Sequence, residues 1–319
     1  MSTNNTTYAW PPVPVSIQSD DSYRTYKDDQ NPQALFEKAT RYLDPLRVNH
    51  KRKQQITIVK EINEAVIHAI FGSNMIEKAG FGWRPTLHIC RHVIRQKGEY
   101  EVDPYHIPEG SWTDDSTLRG KSTDEYVRGY REVAQHMKAF QHIIRHFVTL
   151  GGEMTEGLIK DTHAILCKNI SIIDPKHPEV PWEKYAGKYR DVAVGAGNTM
   201  FTLPRFVPAK MTEMCAGLQR EIEEGETRGT LDPFSLASKY SLKFVEIHPF
   251  QDGNGRMCRL ILNAILLRYA GIVVAIGETE VDRYEYINIK KRASRDMEGH
   301  GEYATFVLKK AGEGIQKLK

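Results

Sequence analysis

Apolar residues recur at helical spacing through most of this chain. Between residues 54 and 76 the positions Ile56, Ile58, Val59, Ile62, Val66, Ile67 and Ile70 form one stripe, which predicts an amphipathic helix. A shorter amphipathic helix is expected over 85–97, then a loop over 99–120 broken by Pro104, Pro108 and Gly110. Ser122-x-x-Glu125 has the form of a capping box and opens a long helix to about Leu150, where Gly151-Gly152 stops it. Another helix runs from about Thr155 to Cys167. The period then breaks between Gly187 and Pro208, and Val192 to Pro204 reads as a short β-hairpin or extended flap. Helical spacing returns from Asp232 to Ile247, from the loop at Gly255 to Gly271 and over 302–318. The fold class is therefore mainly α, with one short hairpin flap and a helical region N-terminal to the core.

One stretch interrupts this pattern with polar chemistry. His248-Pro249-Phe250-Gln251-Asp252-Gly253-Asn254-Gly255-Arg256-Met257-Cys258-Arg259 joins two apolar helices through a glycine-rich loop. In Gly253-Asn254-Gly255 successive amides can converge on an anion, and the orphan amides of the following helix point the same way. Arg256 and Arg259, three apart, share one helix face and can reach further phosphate oxygens. Asp252 supplies a carboxylate suited to Mg²⁺ bridging phosphates. His248 is the group there able to take a hydroxyl proton near neutral pH. A lone Gly-Asn-Gly is usually a turn, and a lone His before Pro is usually structural. Nine fixed positions in a window of twelve, however, arise by chance on the order of 10⁻⁹ times per chain at average usage, so the set is read together.

The order of these residues resembles the Fic family signature, His-Pro-Phe-x-Asp-Gly-Asn-Gly-Arg-x-x-Arg, without departure. The resemblance implies a Fic-type helical core and transfer of AMP from ATP to a Ser, Thr or Tyr hydroxyl of a protein. It makes His248 the general base and Asp252 the Mg²⁺ ligand between the α- and β-phosphates. The backbone of Gly253, Asn254 and Gly255 becomes the anion hole, and Arg256 and Arg259 clamp the β- and γ-phosphates. Upstream, Ser73-x-x-x-Glu77 resembles the inhibitory Ser/Thr-x-x-x-Glu-Gly/Asn of relatives restrained by an N-terminal helix, with Lys78 in the last place. That likeness implies that Glu77 pairs with Arg259 and keeps the γ-phosphate from binding productively. Gly187-Lys188-Tyr189-Arg190 resembles the family's Gly-x-Tyr-Arg ahead of a flap that pairs with an extended target segment. Arg283-x-x-Tyr286 resembles the segment whose tyrosine lines the adenine pocket. Two other activities fit the same signature: removal of AMP with Glu77 aligning a water, and transfer from a donor other than ATP.

Composition changes the picture little. The 319 residues carry a net charge of +3 with 27% charged side chains, a balance that calls for neither nucleic acid nor a membrane as partner. Cys90, Cys167, Cys215 and Cys258 are scattered, as in a reduced cytoplasmic or nuclear protein, and the N-terminal residues lack the pattern of a signal peptide. His136, His142 and His146 do not share one helix face and carry no metal reading. The expected division is a disordered extension over 1–32, a helical region with the inhibitory motif over 33–150, the Fic core over 151–310 and a tail over 311–319. The expected partner is a protein with an exposed hydroxyl, with a cytosolic heat-shock chaperone as a guess. Self-modification is expected, as is a homodimer that buries the Ser73–Glu77 helix.

Overall fold

The computed structural model describes residues 16–17, 23–24, 31–40, 52–96, 118–196, 199–295 and 299–317. Helix α1 (Pro32–Thr40) is followed by α2 (Arg52–Ile76), α3 (Trp83–Arg95) and α4 (Thr123–Ile143), with α5 at Glu156–Cys167. A hairpin of β1 (Ile172–Asp174) and β2 (His177–Val180) and the single turn α6 (Trp182–Tyr185) come next. Then comes the flap hairpin of β3 (Gly195–Ala196) and β4 (Thr199–Met200). The chain ends in α7 (Val207–Arg228), α8 (Pro233–Ile247), α9 (Asn254–Tyr269), α10 (Glu280–Arg295) and α11 (Gly301–Lys317). The mainly α expectation and the flap both hold, the flap pairing Gly195 with Met200 and Ala196 with Thr199. Most of residues 1–32, the loop over 97–117 and the flap tip at 197–198 lie outside the described residues.

The core is built around α9. Met257, Cys258 and every residue from Leu260 to Leu267 are buried, so this helix is enclosed by its neighbours. Helix α8 packs along it, and α4 and α2 close the other flank. One hydrophobic cluster runs from Val66, Ile67 and Ile70 of α2 through Phe140 of α4 to Tyr303 and Val307 of α11. The N-terminal helical region thus shares a core with the rest rather than forming a separate body.

Caps follow the sequence closely. Ser122 and Glu125 form the reciprocal capping box at α4, and Asp232 accepts from the amides of Phe234 and Ser235 at α8. The long helix ends in a π-turn, Ile144–Thr149, and Arg268 donates to the carbonyl of Phe147 within it at 3.1 Å and to that of Gly152 beyond it at 2.6 Å.

Three details of the helical framework add to the sequence pattern. Composition leaves residues 1–32 little to bury, yet Tyr23 is buried with its hydroxyl donating to Asp232 at 2.8 Å, and Ile17 packs on the core. An aromatic ring with a partner for its hydroxyl outweighs the polar character around it. Helix α11 runs to Lys317, as the helical spacing over 302–318 predicts, with Leu308 and Ala311 continuing the buried face of Ala304 and Val307. Helix α7 was not foreseen, although Val207, Met211, Met214, Leu218 and Ile222 carry its buried stripe.

Candidate active site

The His248–Arg259 loop runs from the C-terminus of α8 to the N-terminus of α9. His248 itself caps α8 in the left-handed region, φ 52°, a conformation a residue with a β-carbon keeps only where its surroundings demand it. Its Nδ1 donates to the Val245 carbonyl at 3.2 Å, which leaves Nε2 as the unprotonated nitrogen, without a donor among the described residues. Burial, aided by Arg190 and Lys290, lowers its pKa to about 4, so the ring is neutral at physiological pH. Gly253 turns the chain into α9 at φ 76°. Asn254 holds the turn through its side chain, accepting from the Phe250 amide at 2.9 Å and donating to the Phe250 carbonyl at 2.8 Å. The shape of the loop therefore requires an amide side chain at this position.

Arg256 and Arg259 are each only 4% exposed. Arg256 reaches Asp252 at 3.5 Å, and its Nε and Nη1 have no acceptor among the described residues. Arg259 is fully engaged: Nε donates to Ser73 Oγ at 2.8 Å, Nη2 to Glu77 Oε1 at 2.6 Å and to the Ser73 carbonyl at 3.2 Å, Nη1 to Tyr286 Oη at 3.3 Å. The Glu77 carboxylate also lies over Gly255, where any β-carbon would overlap it. A negative group at the end of α2 thus sits on the α9 N-terminus and on the second arginine together.

Helix α4 holds the end of α2 in place. His136 bonds Asn74 Oδ1 at 2.8 Å and Glu132 accepts the Gly80 amide at 2.7 Å, so the histidine set aside as a metal ligand serves the helix that carries Glu77. Gly72 lies so close to the Ile276 carbonyl that a β-carbon would stand 2.5 Å from it.

The helix ends in a Schellman arrangement, with Ala79 N–H to the Asn74 carbonyl at 2.9 Å and Lys78 N–H to the Met75 carbonyl at 3.4 Å. Lys78 stands at its left-handed position, φ 54°, which favours glycine. Lys78→Gly is therefore expected to stabilise the protein by about 1 kcal/mol, a rise in Tm of roughly 2 °C by calorimetry. An unchanged or lower Tm would mean that this turn carries no strain.

A model of the Fic/DOC family matches residues 153–266 of the chain. A Fido domain-containing protein of Dictyostelium discoideum is 33% identical over 112 residues, which make up 35% of this chain and 74% of that protein. The chain belongs to the Fic/DOC family. A protein adenylyltransferase Fic of Nematostella vectensis is 33% identical over 250 residues, 78% of this chain and 47% of the relative. The chain thus spans about half the length of that relative. Among solved structures, Fic-1 of C. elegans has a TM-score of 0.63 at 20% identity, covering 90% of this chain and 71% of the other. A Fic domain containing signaling protein of Bacteroides thetaiotaomicron reaches 0.61 at 17%, covering 90% and 94%. At such identities these two likenesses speak for the Fic fold alone.

Against the Fic signature, the structure brings His248, Asp252, Gly253, Asn254, Gly255, Arg256, Arg259, Ser73 and Glu77 to one place. Tyr286 stands beside them, bonded to Arg259. That ring is 3% exposed among Tyr303 and Phe306, and its hydroxyl accepts from Arg259 Nη1 and Lys290 Nζ, each at 3.3 Å.

Sequence reasoning missed His163. It stacks on Phe250 at 3.6 Å, accepts the Gly187 amide on Nδ1 at 2.9 Å and donates from Nε2 to the Asp252 carbonyl at 2.9 Å. A backbone donor on Nδ1 fixes the neutral tautomer. The signal available was a histidine on the buried face of α5 between Ile159 and Leu166.

Burial lowers His163, His248 and His300 alike to about 4, against about 6.5 unfolded. The unfolded chain therefore takes up protons first, and stability is lost as pH falls from about 6.5 to about 4. Urea midpoints at pH 7 and pH 4.5 should differ, with the lower value at pH 4.5; equal midpoints would contradict neutral burial of these rings.

Proposed function

We propose that this site moves AMP from ATP to a protein hydroxyl and that Glu77 holds the activity low. The observation that carries the reading is Arg256, a buried guanidinium with two unpartnered nitrogens at the N-terminus of α9. Orphan cationic donors beside free helix amides suit an anion with several oxygens, as a polyphosphate is. His248 adds what binding alone does not need, a neutral ring with its Nε2 free.

On this reading His248 Nε2 takes the proton of the acceptor hydroxyl as its oxygen attacks the α-phosphorus. The bond from the α-phosphorus to the bridging oxygen breaks, pyrophosphate leaves, and Arg256, Arg259 and the α9 amides take up its charge. Asp252 fits Mg²⁺: its carboxylate is 44% exposed beside the nest and, among the described residues, makes the long contact to Arg256 alone. One carboxylate with phosphate oxygens and waters is a usual set for that ion, which would neutralise charge on the phosphates. The β3–β4 flap offers its edge to an extended target segment. Glu77 and the γ-phosphate compete for the same donors, so the Glu77–Arg259 pair is the inhibited state. Acceptors to try are the chain's own hydroxyls and a cytosolic heat-shock chaperone. A homodimer that covers Ser73–Glu77 would set how readily the pair opens.

The test is the mass of Glu77→Gly protein and of an added acceptor after incubation with ATP and Mg²⁺. A gain of one AMP on a Ser, Thr or Tyr is expected. Unmodified protein that nevertheless binds ATP would overturn the reading.

A further inference from the structure

The flap grips His248 from two sides. The ring of Phe201, just past β4, lies on the imidazole with centroids 3.7 Å apart and planes 12° from parallel. Arg190 holds the backbone of the same residue, its Nε donating to the His248 carbonyl at 2.6 Å. The other arms of this guanidinium reach the carbonyls at both roots of the flap, Val192 at 2.8 Å and Thr202. The Arg190 amide also donates to the Pro249 carbonyl at 2.9 Å, so one residue ties the flap roots to the turn that carries the histidine. Arg190 is 5% exposed, which makes this a buried clamp rather than a surface contact.

The two contacts act on different degrees of freedom. Arg190 holds the strained left-handed backbone of His248, and Phe201 sets the plane of the ring by covering its face. The bond from Nδ1 to Val245 is compatible with several ring tilts, whereas an aromatic stack at van der Waals distance is compatible with few. We propose that Phe201 and Arg190 are positioning residues that aim His248 only while the flap is seated, so that docking of a target on the flap and alignment of the base are one event. The inference rests on the reading of His248 as general base. Phe201 and Arg190 act through His248, which is why their role is positioning and not catalytic.

A ring over the imidazole also keeps water from one face. Arg190 and Lys290 disfavour the imidazolium further, while the Val245 carbonyl and Glu77 oppose them. Removing the Phe201 ring exposes the imidazole again, and its titration should move up from about 4 toward 6.5.

The experiment is a histidine-ring NMR titration of wild type, Phe201→Ala and Phe201→Trp, with the His248 signal assigned by its loss in His248→Ala. The midpoint should rise by about 1 unit or more in Phe201→Ala and stay near the wild-type value in Phe201→Trp. In a Glu77→Gly background, Phe201→Ala should lower kcat for AMP transfer about 10-fold with the KM for ATP within about twofold, and Phe201→Trp should restore it. Arg190→Lys keeps the charge but loses the fork, and should speed amide exchange across β3 and β4. An unchanged His248 midpoint in Phe201→Ala, or an equal loss of kcat in Phe201→Trp, would overturn the proposal. The NMR arm needs no turnover, so failure of every variant to transfer AMP would count against the transfer reading alone.

Discussion

Replacing His248 by alanine in a Glu77→Gly protein should lower AMP transfer by about 10²–10⁴-fold, the usual share of a general base. The affinity for ATP should stay within about threefold, because the phosphate donors lie on α9 and not on the imidazole. The His248 Nδ1 hydrogen is spent on Val245, the ring is neutral above about pH 4, and its remaining lone pair has no proton to lose before it acts. It follows that His248 adds no acid limb to the rate profile of the free enzyme between pH 5 and 8. Transfer by the His248→Ala protein at the rate of its parent would remove the base from the account.

The second large effect is expected at Glu77. Its Oε1 lies 2.6 Å from Arg259 Nη2, and the carboxylate covers the α9 N-terminus at Gly255. A charge-assisted hydrogen bond contributes about 1.5–3 kcal/mol, and the 34% exposure of the Glu77 side chain argues for the lower end. Glu77→Gly should then raise AMP transfer by about 10-fold or somewhat more, since roughly 1.4 kcal/mol is a factor of ten. Glu77→Gln separates charge from contact, because an amide can still accept from Arg259 but does not repel a phosphate. An intermediate rate is expected for it. Equal rates for Glu77→Gly, Glu77→Gln and wild type, at subsaturating as well as saturating ATP, would show that the ion pair is no lock.

What was legible in the sequence is what local chemistry demands. Gly253 needs its left-handed turn, Asn254 holds Phe250 at both ends, and Arg256 and Arg259 share a face, so each motif position has a reason within four residues of itself. Ser73 and Glu77 were legible as a spacing of one helical turn, although their partner Arg259 stands 182 residues beyond Glu77. The Lys78 departure becomes intelligible only with the backbone, since the position asks for a left-handed residue and not for a particular side chain.

The remaining parts were hidden because their partners are distant in the chain. Arg190 meets His248 across 58 residues and His163 meets Asp252 across 89, separations at which spacing carries no signal. Tyr286 illustrates the reverse. Its place in the motif-like Arg283-x-x-Tyr286 was visible, but whether its hydroxyl would face a ligand or Arg259 depended on how α10 packs.

The most direct measurement is transfer of label to protein from ATP marked on the α-phosphate and, in parallel, on the γ-phosphate, by wild type, Glu77→Gly and Glu77→Gly/His248→Ala. The account predicts that only the α-label is transferred, that it rises on removal of Glu77, and that it vanishes without His248. Transfer of the γ-label, or no transfer by Glu77→Gly, would contradict it.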